Sequence, residues 1–151
     1  MFRFSLSRTM KVSLLFLVPL IALVAGCASV STQVTRSNAL PPGGVPTNPT
    51  FSFVAGTPTQ NQAAYRALIA QSLSKAGWTQ TDPASAAYVV SDTYGGYGEE
   101  RILVLEIREY RSARKVFEAS ARSEGGSASI SGLVRAIFRD FPGGNGQTVT
   151  Y

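Results

Sequence analysis

Apolar residues crowd into one run near the N-terminus, then alternate with polar ones in short stretches, and recur twice at helical spacing. The run is Val12 to Val24. After it, Val30-Ser31-Thr32-Gln33-Val34-Thr35-Arg36 alternates with β-branched residues, the pattern of a short edge strand or of an extended tether. Leu40 to Asn48 carries Pro41, Pro42, Gly43, Gly44 and Pro46, a loop that continues neither a helix nor a ladder. Thr50 to Val54 then places Phe51 and Phe53 on one face of a strand, which Gly56, Pro58 and Thr59 end.

The spacing of Tyr65, Leu68, Ile69 and Leu73 predicts an amphipathic helix from Gln60 to Ala76. Thr59 or Asn61 is its N-cap, and Gly77 stops it in left-handed geometry, so that Trp78 folds back on the last turn. Asp82-Pro83 marks a turn before Ala87 to Tyr94, a strand rich in β-formers that Gly95-Gly96-Tyr97-Gly98 breaks. Ile102 to Tyr110 and Lys115 to Arg122 form a hairpin about Arg111-Ser112-Ala113-Arg114. Its core face holds Leu103, Leu105 and Ile107 on one strand and Phe117, Ala119 and Ala121 on the other. The register expected there sets Arg108 opposite Glu118, because the neighbouring one sets Glu106 against Glu118 and like charges repel across strands. A second helix, capped by Ser127 or Ser129, carries Ile130, Leu133, Val134, Ile137, Phe138 and Phe141 as one stripe, ended by Pro142.

These elements predict an α+β domain: a twisted, mostly antiparallel sheet of order ββαβββα, with two amphipathic helices on one face. The strand from Ile102 to Ile107 is apolar on both sides, however, and two helices cover one face only. Tyr88, Val90, Tyr94, Ile102 and Val104 are therefore expected together on the second face as a candidate binding surface, with Glu106, Arg108, Glu118 and Arg122 at its polar end. The alternative is that Val30 to Pro46 folds across this face and makes it ordinary core. Tyr94 and Tyr97, flanked by glycines, are also candidate stacking faces for a saccharide or peptide; against this stands the plain need of a turn for glycine.

The N-terminal run changes the meaning of the composition. Arg3, Arg8 and Lys11 precede it, no acid interrupts it, and it ends in Val24-Ala25-Gly26-Cys27, which resembles a bacterial lipobox. A span of the bilayer needs about 20 apolar residues, and this run is shorter and broken by Pro19. Residues 1–26 are thus read as a signal peptide, starting at Met1 or Met10, residues 27–29 as the lipidated end and tether, and 30–151 as one domain. By resemblance, Cys27 is acylated and becomes the mature N-terminus. Two or more acyl chains hold a protein stably on a membrane. Ala28 and Ser29 are not the aspartate of an inner-membrane retention signal, which points to the periplasmic face of the outer membrane. Without residues 1–26, 125 of the 151 residues remain, and the 14 cations fall to 11 against 9 acids. The basicity is a property of the targeting segment, and the spread of the remaining cations gives no nucleic-acid footprint.

Two absences narrow the chemistry. The chain has no histidine, and its single cysteine is assigned to lipid, which excludes Ser/His/Asp and Cys/His nucleophiles, a histidine zinc site and a histidine-ligated haem. No cofactor or metal is called for. Carboxylate or Ser/Lys hydrolysis would have to draw on Lys75, Lys115, Glu99, Glu100 and Asp92.

The F-x-F strand at Phe51 to Phe53, the helix closed by Gly77, the strand AYVVSDTYG and above all Ala136 to Gly146, AIFRDFPGGNG, resemble an uncharacterised periplasmic domain of small Gram-negative lipoproteins. The resemblance implies an α+β lipoprotein domain with no assigned enzymatic activity. The expectation is a non-enzymatic envelope protein, lipid-bound to the membrane through Cys27, that binds another envelope protein or a cell-wall component. The alternative is a small cell-wall-modifying hydrolase.

Overall fold

The computed structural model describes residues 31–40, 46–125, 129–143, 146 and 148–151; the signal segment, Cys27, Val30, 41–45 and Ser127 lie outside the described residues. Its strands are β1 (Thr32–Asn38), β2 (Thr50–Phe53), β3 (Thr79–Gln80), β4 (Tyr88–Gly95), β5 (Arg101–Glu109), β6 (Lys115–Ser123) and β7 (Thr148–Thr150). Helix α1 (Gln60–Lys75) follows β2, and α2 (Ile130–Phe138) follows β6. One seven-stranded sheet runs in the order β3-β2-β4-β5-β6-β1-β7. The α+β class stands, and the element order is ββαββββαβ.

Two strands were not expected from the pattern. β3 is two exposed polar residues and β7 is Thr148-Val149-Thr150 with a single half-buried apolar residue, so neither is long enough to carry an alternating apolar signature. The sheet is also mixed, because β2 lies parallel to both β3 and β4. Parallel neighbours need a crossover connection, and α1 supplies it between β2 and β4. Thr32–Asn38 is a strand hydrogen-bonded between β6 and β7, so this part of the N-terminal segment lies within the sheet rather than across its face.

Local chemistry accounts for the helix ends. The Thr59 hydroxyl accepts from the Gln62 N–H at 3.2 Å and the Gln62 carboxamide oxygen accepts from the Thr59 N–H at 3.4 Å, a reciprocal cap that satisfies two otherwise orphaned donors. At the other end Trp78 N–H donates to Leu73 C=O at 3.0 Å and Gly77 N–H to Ser74 C=O at 3.0 Å. That closure requires the left-handed Gly77, at φ 86°. It also turns Trp78 inward, where 2 % of its surface remains exposed. Ser129 caps α2 by accepting from Gly132 N–H at 3.1 Å. Phe141 falls beyond α2 yet continues its stripe, with its ring 4.9 Å from Phe117 and 6.2 Å from Trp78.

Tyr65, Ile69 and Leu73 of α1 and Leu133, Val134 and Ile137 of α2 share one buried cluster with Phe51, Val90, Leu103, Leu105, Ile107, Phe117, Ala119 and Ala121. The hairpin faces are therefore as its alternation predicts, but its register is not. Glu106 stands opposite Glu118, and Arg108 opposite Lys115. The register breaks between Ile107 and Arg108, where Val116 has no opposite residue and is buried as a bulge. Three pairs of core residues, Leu103 with Ala121, Leu105 with Ala119 and Ile107 with Phe117, outweigh one surface repulsion. The repulsion is also relieved, since Arg108 bonds Glu106 at 3.0 Å and Lys115 pairs with Glu118. The Arg108 guanidinium accordingly holds the Glu106 carboxyl below the usual carboxylate range.

Candidate functional site

The expected surface divides between the two faces of the sheet. Val90 stands opposite Ile107 and Tyr94 opposite Leu103, so Tyr88, Val90 and Tyr94 share the face of the buried core. Val90 is fully buried, and the Tyr94 ring packs 5.8 Å from Tyr65. Ile102 and Val104 are on the other face, opposite Gly95 and Thr93. The parity of β4 is not marked in the sequence because Tyr88, Val89 and Val90 are all apolar enough to face a core, and the residue that shares the outer face is Val89, next to Arg108. What remains of the surface is Val89, Ile102 and Val104, all half-buried, among Ser91, Thr93 and Ser120.

Tyr94 and Tyr97 do not form a pair of stacking faces. Tyr94 turns inward, whereas Tyr97 is 91 % exposed in the β4–β5 turn. The turn itself explains its glycines: a Cβ on Gly96 would lie 2.1 Å from the Glu100 carbonyl oxygen, and Gly98 has φ 58°.

The candidate acid and base groups are held apart, each in its own contact. Asp92 has a fully buried side chain clamped by α1: Arg66 Nε donates at 2.7 Å and Gln62 Nε2 at 3.4 Å. Glu100 pairs with Arg122 at 2.7 Å, Lys115 with Glu118, Glu99 is exposed, and Lys75 ends α1. Among the described residues no cluster of three acids suits a metal, and no helix is long and apolar enough to cross a membrane.

Burial, and then the Asp92 carboxylate, raise the Tyr65 pKa above its ordinary 10.0, and burial followed by the charge of Glu109 does the same to Tyr88. The unfolded chain therefore ionises first as the solution becomes alkaline. This stability is complete below the unfolded value and is lost as the pH rises from there through the folded one. The thermal midpoint should fall between about pH 9 and 11, less steeply in Tyr65→Phe; an equal slope in both would assign the alkaline loss elsewhere.

Arg36 is the functional-looking residue that pattern reading passed over. Its side chain is fully buried, with Nε donating to Ile137 C=O at 3.1 Å and Nη2 to Ala136 C=O at 2.6 Å. Both terminal nitrogens reach the Tyr151 hydroxyl at 3.2 Å, which bonds in turn to Asp140. The guanidinium thus caps the C-terminal end of α2, where the helix dipole favours a cation. A signal was present: Arg36 has the parity of Val34, which puts it on the apolar side of its strand.

No family model and no curated protein matches this chain. Among solved structures it is similar to the PelC dodecamer from Paraburkholderia phytofirmans, at 14% identity and a TM-score of 0.50 over 70% of this chain and 92% of that one. It is also similar to a PDZ domain protein from Parabacteroides distasonis, at 14% identity and a TM-score of 0.51 over 80% of this chain. The chain spans 39% of that second protein. At such identity the likeness is one of fold.

Proposed function

We propose that this chain is a non-enzymatic lipoprotein, anchored through Cys27 to the periplasmic face of the outer membrane, whose domain assembles with further copies of itself. The observation that carries the anchor is the apolar run ending in Val24-Ala25-Gly26-Cys27 behind Arg3, Arg8 and Lys11. With one acyl chain attachment would be reversible, and with two or more it is stable. Replacing the nucleophile, Cys27→Ser, should leave uncleaved precursor in the inner-membrane fraction. A serine variant that still matures and fractionates with the outer membrane would overturn the anchor.

The assembly reading takes both helices as covering one face of the sheet. Its support is that Ile69 of α1 and Ile137 of α2 are buried in one cluster with Leu105. The other face then presents Ile102 and Val104, with Arg122 opposite Ile102. Apolar residues left half-open at the centre of a sheet favour a partner, and the dodecameric state of the PelC structure makes a second copy the partner proposed here. Val104→Glu tests this: the fold should lose about 1 kcal/mol or less, while sedimentation shows the assembly reduced to monomer. A wild-type protein that sediments as a monomer, or a variant that assembles as before, would refute it.

A further inference from the structure

We propose that the cleft between α1 and α2 binds an anionic phospholipid, its phosphate held by Lys75, Arg135 and Arg139 and the start of an acyl chain lying on Leu68, Val134 and Phe138. The cleft has a volume of about 500 Å³, within the range of small-molecule sites. Leu68, Val134 and Phe138 line it together with those three cations, which are contributed by α1, α2 and the residue after α2.

The charge is unbalanced. Among the described residues no acid lines the cleft and neither Lys75 nor Arg135 is in an ion pair, while Arg139 lies over the Tyr151 ring at 4.6 Å. Asp140, the neighbouring acid, accepts from the Tyr151 hydroxyl and stands 3.9 Å from Arg36. Cations near helix C-termini ordinarily answer the helix dipole. For α2 that task is already done by Arg36, which bonds the Ala136 and Ile137 carbonyls from the buried side. Arg135 and Arg139 are then not needed for the dipole, and both can meet an external anion, Arg139 with the guanidinium edge that its stacking on Tyr151 leaves open. Inorganic phosphate would use the cations and waste the apolar residues, and a neutral lipid would do the reverse. A docked partner helix would need a contact of about 800 Å² on each side, larger than this cleft provides.

The inference rests on the cleft and not on the anchor at Cys27, so either can fail alone. The full-length protein, purified in neutral maltoside micelles, is titrated with dihexanoyl phosphatidylglycerol and with dihexanoyl phosphatidylcholine by calorimetry. Trp78, the only tryptophan of the chain, serves as a local fluorescence reporter because its ring is 6.2 Å from Phe141 in the cleft wall. Saturable binding of the phosphatidylglycerol is expected, with the phosphatidylcholine about tenfold or more weaker, and Arg135→Gln should weaken the anionic lipid about tenfold. Arg135 is exposed, so its variant should keep the wild-type melting midpoint; Lys75→Gln is the second variant, with the same expected direction. Equal affinity for the two lipids, unchanged affinity in both variants, no saturable heat, or displacement by an equal concentration of inorganic phosphate would each overturn the proposal.

Discussion

Replacing Arg36 with alanine should destabilise the domain by about 2–4 kcal/mol, the scale of leaving two buried neutral acceptors without their donor. The guanidinium is fully buried and holds two carbonyls of the last turn of α2 together with the Tyr151 hydroxyl. Truncation leaves those carbonyls without a donor in a site that water does not reach, and an orphaned buried acceptor costs more than the bond it made. It also removes the side-chain tie from β1 to the Tyr151 hydroxyl, while the backbone bond from Gly146 N–H to Arg36 C=O at 2.8 Å is kept. Arg36→Lys should recover only part of the loss, because an ammonium has the charge but not the planar fork that spans adjacent carbonyls. Denaturant unfolding checks both; an alanine variant within 1 kcal/mol of the wild type would mean that the cap contributes little.

Trp78→Ala should cost a similar amount, about 3–5 kcal/mol, through a different mechanism. Gly77 swings the indole into contact with Phe51 at 6.5 Å, Tyr88 at 5.0 Å and Phe141 at 6.2 Å, measured between ring centres. One ring therefore joins β2, β4 and the segment after α2. Its removal leaves a cavity that three different elements cannot collapse together, since each is fixed by its own hydrogen bonds. Among the described residues the indole N–H has no acceptor, so the loss is one of packing and not of a hydrogen bond. Trp78→Phe, which fills most of the volume, should regain more than half of the alanine deficit. An alanine cost below about 1.5 kcal/mol would show that the site relaxes freely.

What the sequence made legible follows from how each element signals itself. The first helix was readable because its period, its Thr59 cap and its Gly77 stop agree, and the hairpin faces because Leu103, Leu105 and Ile107 alternate with residues that differ from them in exposure. Register was not readable from charge, because the energy that selects it lies in the core pairs and in the turn, where Glu109 N–H donates to Arg114 C=O at 2.9 Å and Ala113 takes φ 55°. The Val116 bulge has no sequence mark of its own. Parity is ambiguous in β4, where three consecutive residues suit a core, whereas in β1 it places Arg36 inside with Val34. The parallel pairing of β2 with β3 and β4 depends on where α1 returns the chain, which no local pattern specifies. As for the candidate site, Ile102 and Val104 lie on one face of the sheet and Tyr88, Val90 and Tyr94 on the other, so the five do not form one surface. The basic cleft between the helices was illegible, since Lys75, Arg135 and Arg139 meet only when the two helices pack.

The proposed anchor at Cys27 is tested most directly by the intact mass of the protein extracted from the outer-membrane fraction. The predicted result is a polypeptide beginning at Cys27 that carries a diacylglyceryl group on sulfur and an acyl group on its amine, with the mass of the unmodified chain absent. A polypeptide that begins elsewhere, or that begins at Cys27 with a free thiol, would contradict it.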